Sequence, residues 1–192
     1  MEKALDRAKY LTPGVALFLC LVAVYPTRAQ TITWSSIDCA KSDIVLDRIE
    51  KCQLSNSYSG PDGRSEYHLQ TAAFNTGTEK VYVYLHKPRV ELQTGGIAVP
   101  TDAERESYLS KPSAEAQKFG GNFSETMRTK YGYAKTYALA YGWQCFSFLK
   151  DAPPLGAQGI AYYLAGYACT KSIRVQTAEA IDAFLQKLSV HR

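Results

Sequence analysis

Two of the three histidines in this chain fall in one short region beside a run of tyrosines, and these are the side chains best suited to chemistry near neutral pH. Residues 66–74 (EYHLQTAAF) and 80–87 (KVYVYLHK) alternate in character and flank the Gly-containing segment 75–79, the pattern of a β-hairpin. Alternate side chains of a strand share a face. The expected core face holds Tyr67, Leu69, Thr71, Ala73, Val81, Val83 and Leu85, and the other holds Glu66, His68, Gln70, Ala72, Tyr82, Tyr84 and His86. A turn centred on Gly77 sets His68 opposite His86 and Gln70 opposite Tyr84, with Cβ atoms about 4.5–5.5 Å apart. An imidazole pair with a carboxylate two residues away could take a metal ion or move a proton, because three protein ligands and an open position make a catalytic zinc centre. The plainer reading, which the pattern favours, is an ordinary solvent-facing polar side. We therefore assign no metal and no cofactor, and carry His68, His86, Tyr82, Tyr84 and Glu66 forward as candidate ligand- or partner-binding residues.

Cysteines supply the second set of reactive groups. Cys20 lies inside an apolar leader, which leaves Cys39, Cys52, Cys145 and Cys169. An even number in an exported chain points to disulfides. The pairing expected from proximity is Cys39–Cys52 and Cys145–Cys169, the second on neighbouring strands. There is no C-x-x-C and no histidine near any of the four, so a metal cluster is disfavoured. With all four oxidised, no thiol nucleophile remains.

The elements that must position these groups are organised around residues 131–171. Segments 143–149 (WQCFSFL) and 160–169 (IAYYLAGYAC) are aromatic-rich and uncharged, and a Pro/Gly cluster separates them, as for two strands covered on both faces. Residues 124–141 admit two readings. Period two gives a bulky face (Tyr131, Tyr133, Lys135, Tyr137, Leu139, Tyr141, Trp143) and a smooth Gly/Ala face. Helical period gives a stripe of Met127, Tyr131, Ala134, Ala138 and Tyr141, with Ser124 as cap. We expect a short helical turn over 124–130 followed by a strand from 133. The aromatics invite a stacking role, but a tyrosine-rich core with each hydroxyl partnered is the simpler account.

The remaining segments read more briefly. Residues 31–38 (TITWSSID) are β-prone, and 42–52 is expected as a short helix capped by Ser42, with a strand as the alternative. Thr101 and Asp102 cap a brief helix through Leu109, and 113–118 reads as another helical turn. Pro88 ends the second hairpin strand. Asn122-Phe-Ser124 matches a glycosylation acceptor. Thr177 caps a C-terminal helix whose apolar stripe is Ile181, Phe184, Leu185 and Leu188, expected to close one side of the sheet.

Residues 1–29 read as a secretory signal peptide: Lys3, Arg7 and Lys9, an apolar run over 15–24, Pro26 and a small residue at Ala29. That run is short of the ~20 residues a spanning helix needs, so an uncleaved anchor is disfavoured. The chain has 22 basic and 18 acidic residues; the leader holds four and two of these, which leaves a mature balance of +2. No basic run remains to argue for nucleic acid or a membrane surface. At 46% hydrophobic and 21% charged, the 192 residues compose an ordinary globular chain, read as one exported domain over 30–192.

No G-x-S-x-G elbow, phosphate-binding loop or H-E-x-x-H motif is present. The expectation is an α+β fold, a mainly antiparallel sheet with a packed C-terminal helix and two disulfides. Its expected role is that of a periplasmic or secreted, non-enzymatic binding protein with an unknown protein or small-molecule partner, no nucleic acid and no stable membrane span after signal cleavage. The alternatives are a hydrolase or metal-binding protein using His68 and His86, and a structural envelope protein.

Overall fold

The computed structural model describes residues 31–56, 58–59, 66–88, 97, 99–117, 124–154, 159–171 and 177–191. The expected leader, the acceptor asparagine Asn122 and the middle of the Pro/Gly segment, 155–158, lie outside these residues. Eight strands form one antiparallel path: β1 (Trp34–Ile37), β3 (Lys51–Ser55), β5 (Glu66–Thr76), β6 (Glu79–Pro88), β10 (Tyr163–Thr170), β9 (Trp143–Lys150), β8 (Gly132–Leu139) and β7 (Met127–Thr129). Strand β4 (Tyr58–Ser59) pairs alongside β5, while β2 (Ile44–Val45) and β11 (Ser189–Val190) form a separate small ladder. Among the described residues there are two α-helices, α1 (Asp102–Gln117) and α2 (Ala178–Lys187). The architecture is thus mostly antiparallel sheet, as expected, with the two expected disulfides.

The path is two meanders joined at a seam. Strands β1, β3, β5 and β6 form one and β7 to β10 the other, and the last strand of each, β6 and β10, pair from Glu79↔Thr170 to His86↔Tyr163. Gly166 is needed in that seam, because a Cβ there would collide with the Tyr82 carbonyl oxygen across the ladder.

The register divides the sheet into two unlike sides. One carries Ala72, Val81, Val83, Leu85, Phe146, Phe148, Leu164 and Ala134, and packs with Ile181 and Leu185 of α2 and with Leu188, its C-cap, in a single core cluster. The smooth side expected for 132–138 is therefore the side that shares its core with α2. Thr177 caps the helix by accepting from the Ala180 amide. At its other end the Lys150 ammonium donates to the carbonyls of Leu185 and Leu188, a cation at the negative pole of the helix. Burial among these groups lowers the Lys150 pKa.

The opposite side meets α1, which enters through a capping box. The Thr101 hydroxyl accepts from the Glu104 amide while the Glu104 carboxylate accepts from the Thr101 amide at 2.8 Å. Leu109 is fully buried and packs with Leu149, Tyr163 and Ala165. Helix α1 continues through Pro112, so the two expected helical pieces are one; a proline removes one amide donor without ending the helix here.

Two other local expectations are overturned. Residues 42–50 are not a helix. The Ser42 hydroxyl accepts from the Ile44 amide and donates to Gln70, whose side-chain oxygen also takes the Asp43 amide, and Arg48 turns the chain at φ 64°. These side-chain bonds hold the segment to β5 and let Ile44 and Val45 pair with β11. Residues 127–129 are a strand, not a helical turn. The Ser124 amide donates to the Thr136 carbonyl of β8 and its hydroxyl accepts from the Thr136 amide while donating to the Glu125 carbonyl, so it caps no helix.

Candidate functional site

The hairpin of β5 and β6 closes through the two-residue loop Gly77-Thr78, with Thr76 paired to Glu79. That register is one residue away from a turn centred on Gly77, and a one-residue slip moves one strand's set of side chains to the other side of the sheet. His86 consequently pairs with Leu69, and position 68 pairs with Lys87, so the two histidine positions are not cross-strand partners. Tyr84 pairs with Thr71 rather than Gln70, and Tyr82 with Ala73. The core side of β6 is as expected, but Ala72 and Phe74 accompany it from β5 in place of Leu69, Thr71 and Ala73. Glu66 pairs with Ser59 at the far end of the hairpin. The side chains of Glu66 and His68 lie outside the described residues. No group of three metal-capable side chains occurs among the described residues.

Tyr82, Tyr84 and His86 do share one side of the sheet, and the seam gives them aromatic neighbours that sequence reading had placed in the core. His86 is 9% exposed and meets the edge of Tyr163 at 4.7 Å between ring centroids. Burial pushes its pKa down to about 4, so the imidazole is neutral at neutral pH. Tyr163 bonds hydroxyl to hydroxyl with Tyr108 of α1 at 2.6 Å and also packs against Tyr84. This end of the row is a closed aromatic cluster with one neutral imidazole in it.

The other end of the row is more open. Tyr82 stacks on Tyr167 with centroids 5.8 Å apart and planes within 17°. Burial raises the Tyr82 pKa, partly offset by a hydrogen bond with Thr71, so the phenol stays protonated. Next along the sheet, the half-buried Trp143 ring has the Lys80 ammonium 4.7 Å and the Lys171 ammonium 5.1 Å from its centroid. A groove of about 300 Å³ runs beside this group, and its lining includes Lys51, Lys80, Tyr82 and Tyr167 together with one carboxylate, Glu50. At the tip of the β8–β9 connection Tyr141 is 92% exposed and held at φ 63°, a left-handed conformation uncommon for an aromatic residue. Beneath it, Cys145 and Cys169 are directly opposed across β9 and β10 and joined, and Cys39 is joined to Cys52.

Of the candidate residues read from sequence, Tyr82 lies on this surface; its neighbours there, Lys80, Trp143, Tyr167 and Lys171, were not among them. Tyr163 and Tyr167 are four apart on one strand and so share a side, which was readable; that β10 lies next to β6 was not.

No known protein family matches this chain, and no curated protein or solved structure was found to match it.

Proposed function

We propose that this is an exported, non-enzymatic binding protein whose partner face is the aromatic–lysine surface formed by Lys80, Tyr82, Trp143, Tyr167 and Lys171. The observation that carries this reading is Trp143 with two ammonium groups over its ring, next to a stacked tyrosine pair and an open groove. Tryptophan and tyrosine are the side chains that dominate binding energy in protein interfaces. Each supplies a large rigid area at small entropic cost. Lysines around them favour an acidic partner and speed its encounter. Tyr141 fits as an outlying contact, since strain at an exposed aromatic tip has no packing reward within the chain.

The two disulfides are consistent with an extracellular or periplasmic location, where such bonds persist. No helix among the described residues is long and apolar enough to cross a membrane. A hydrolase reading that takes His86 as base is disfavoured by its burial and lowered pKa, which leave no titration near neutrality.

The test is capture from the exported fraction with three proteins: wild type, the double variant Lys80→Glu/Lys171→Glu, and Lys187→Glu on the distant α2 as control. Capture by wild type and control but not by the double variant is the expected result. A synthetic peptide of alternating Glu and Tyr should likewise shift the NMR signals of Tyr82 and the Trp143 indole. Identical capture by all three proteins, with no peptide-induced shifts, would reject the reading.

A further inference from the structure

A second cavity, of about 280 Å³, lies between the start of α1 and the β7–β9 edge, away from the Trp143 surface. Its distinctive feature is Tyr133. The guanidinium carbon of Arg105, from α1, stands 4.7 Å from the Tyr133 ring centroid, and that of Arg128, from β7, stands 4.4 Å from it. The two cations are therefore no more than about 9 Å apart by those distances. Lys150 and Asp151 also line it, and the rest of the wall is apolar, with Leu149 and Tyr163 buried and Ile160 packed against them.

We propose that this cavity binds a compact apolar monoanion: a single carboxylate carried on an aromatic or branched aliphatic body. This inference is independent of the partner-face reading. Three observations support it. Each guanidinium gives one nitrogen to a carboxylate, Arg105 to Asp102 and Arg128 to Asp151, and has further N–H donors in the fork geometry that takes a second carboxylate. The charges already present are unequally balanced. Arg128 is matched by Asp151 at 2.6 Å, whereas the partner of Arg105 is Asp102, 94% exposed and so heavily screened. The Arg105 side chain is itself only 22% exposed, so it is the more desolvated and less compensated of the two, and with Lys150 also in the lining the three cations outnumber the two carboxylates by one charge. Finally, Leu149 and Ile160 would pack on a hydrocarbon body but offer nothing to a hydrated phosphate, and the small volume limits that body to roughly one ring.

The probes are benzoate, its uncharged isostere benzamide, and inorganic phosphate, each titrated into the oxidised full chain and followed by NMR at Tyr133 and the arginine side chains. Benzoate is expected to shift these signals saturably, with benzamide and phosphate at least about tenfold weaker. Arg105→Gln and Arg128→Gln should each weaken benzoate about tenfold or more, Arg105→Lys should recover only part of the loss, and Arg48→Gln, remote and exposed, should change nothing. Equal binding of benzamide, or no benzoate-induced shift up to tens of millimolar, overturns the proposal without needing any variant. Loss of stability in Arg105→Gln with benzoate affinity unchanged would show that the stacked pair is only a staple between α1 and β7, and would overturn it as well.

Discussion

Helix α2 meets its side of the sheet with Ile181, Leu185 and its C-cap Leu188, all fully buried, against Val83, Phe148 and Leu164. Helix α1 meets the other side differently. Leu109 is its one fully buried described side chain, and around it the contacts are directional. Ser147 donates to the Leu109 carbonyl at 2.7 Å, Tyr108 bonds to Tyr163, and Glu106 takes Lys135 and Thr126. Those partners hold the Glu106 carboxyl below its ordinary pKa, Lys135 first. The α2 side buries mainly apolar area, and the polar side chains Gln70 and Lys150 on it are bonded within the fold. The α1 side carries the arginines, lysines and open rings, and both cavities with candidate ligand chemistry. Stability and recognition are thus separated by the two-residue period of the strands.

Substitutions test that separation directly. Phe148→Ala, on the α2 side, should cost about 3–5 kcal/mol of unfolding free energy, as truncation of a fully buried ring does. Tyr82→Phe on the other side should cost less than about 1 kcal/mol, because the ring stays stacked and only one hydrogen bond is lost. Comparable denaturant midpoints for the two variants would collapse the distinction.

Acid should act through the α1 side. His86 has a folded pKa near 4 against an unfolded value near 6.5, so the unfolded chain binds more protons between those limits. Stability is therefore full above about pH 6.5 and falls as the pH drops towards 4, by something on the order of 3 kcal/mol. Urea midpoints across that window should show the decline, and His86→Leu should flatten it. A profile that keeps its slope in His86→Leu would place the acid sensitivity elsewhere.

Smaller effects sharpen the picture. Ser147→Ala leaves the Leu109 carbonyl without its donor in a buried site and should cost about 1–2 kcal/mol, read as faster amide exchange in α1 with α2 unaffected. Arg48→Ala removes an ion pair to Glu79 between exposed side chains and should lie within about 0.5 kcal/mol of wild type. A measurable loss there would mean that the exposed end of β6 contributes more than its geometry indicates.

The parts legible in sequence were those set by local chemistry. Thr177 and the Ile181–Leu188 stripe gave α2, the uncharged runs gave β9 and β10, and proximity gave both disulfide pairings. Errors arose where a non-local partner decided. Gln70, 27 residues away, holds Asp43 out of a helix, and Thr136 ties Ser124 into the ladder. The hairpin was located correctly, but one residue in the loop decided which tyrosines and histidines met. The Arg105–Tyr133–Arg128 stack joins three elements and had no signature in any of them.

The meander arrangement has a consequence for the chain's covalent integrity. Cys39–Cys52 closes a loop within the first meander and Cys145–Cys169 within the second, and neither reaches across. A single backbone cleavage in the stretch joining β6 to β7 would therefore yield two separately crosslinked fragments, held together by the eight β6–β10 residue pairs, the small β2–β11 ladder and the packing around them. Folding of the nicked molecule becomes a bimolecular association, and its apparent stability would rise with concentration, as for a heterodimer. Oxidation hardens each half against unfolding while leaving their union to mass action.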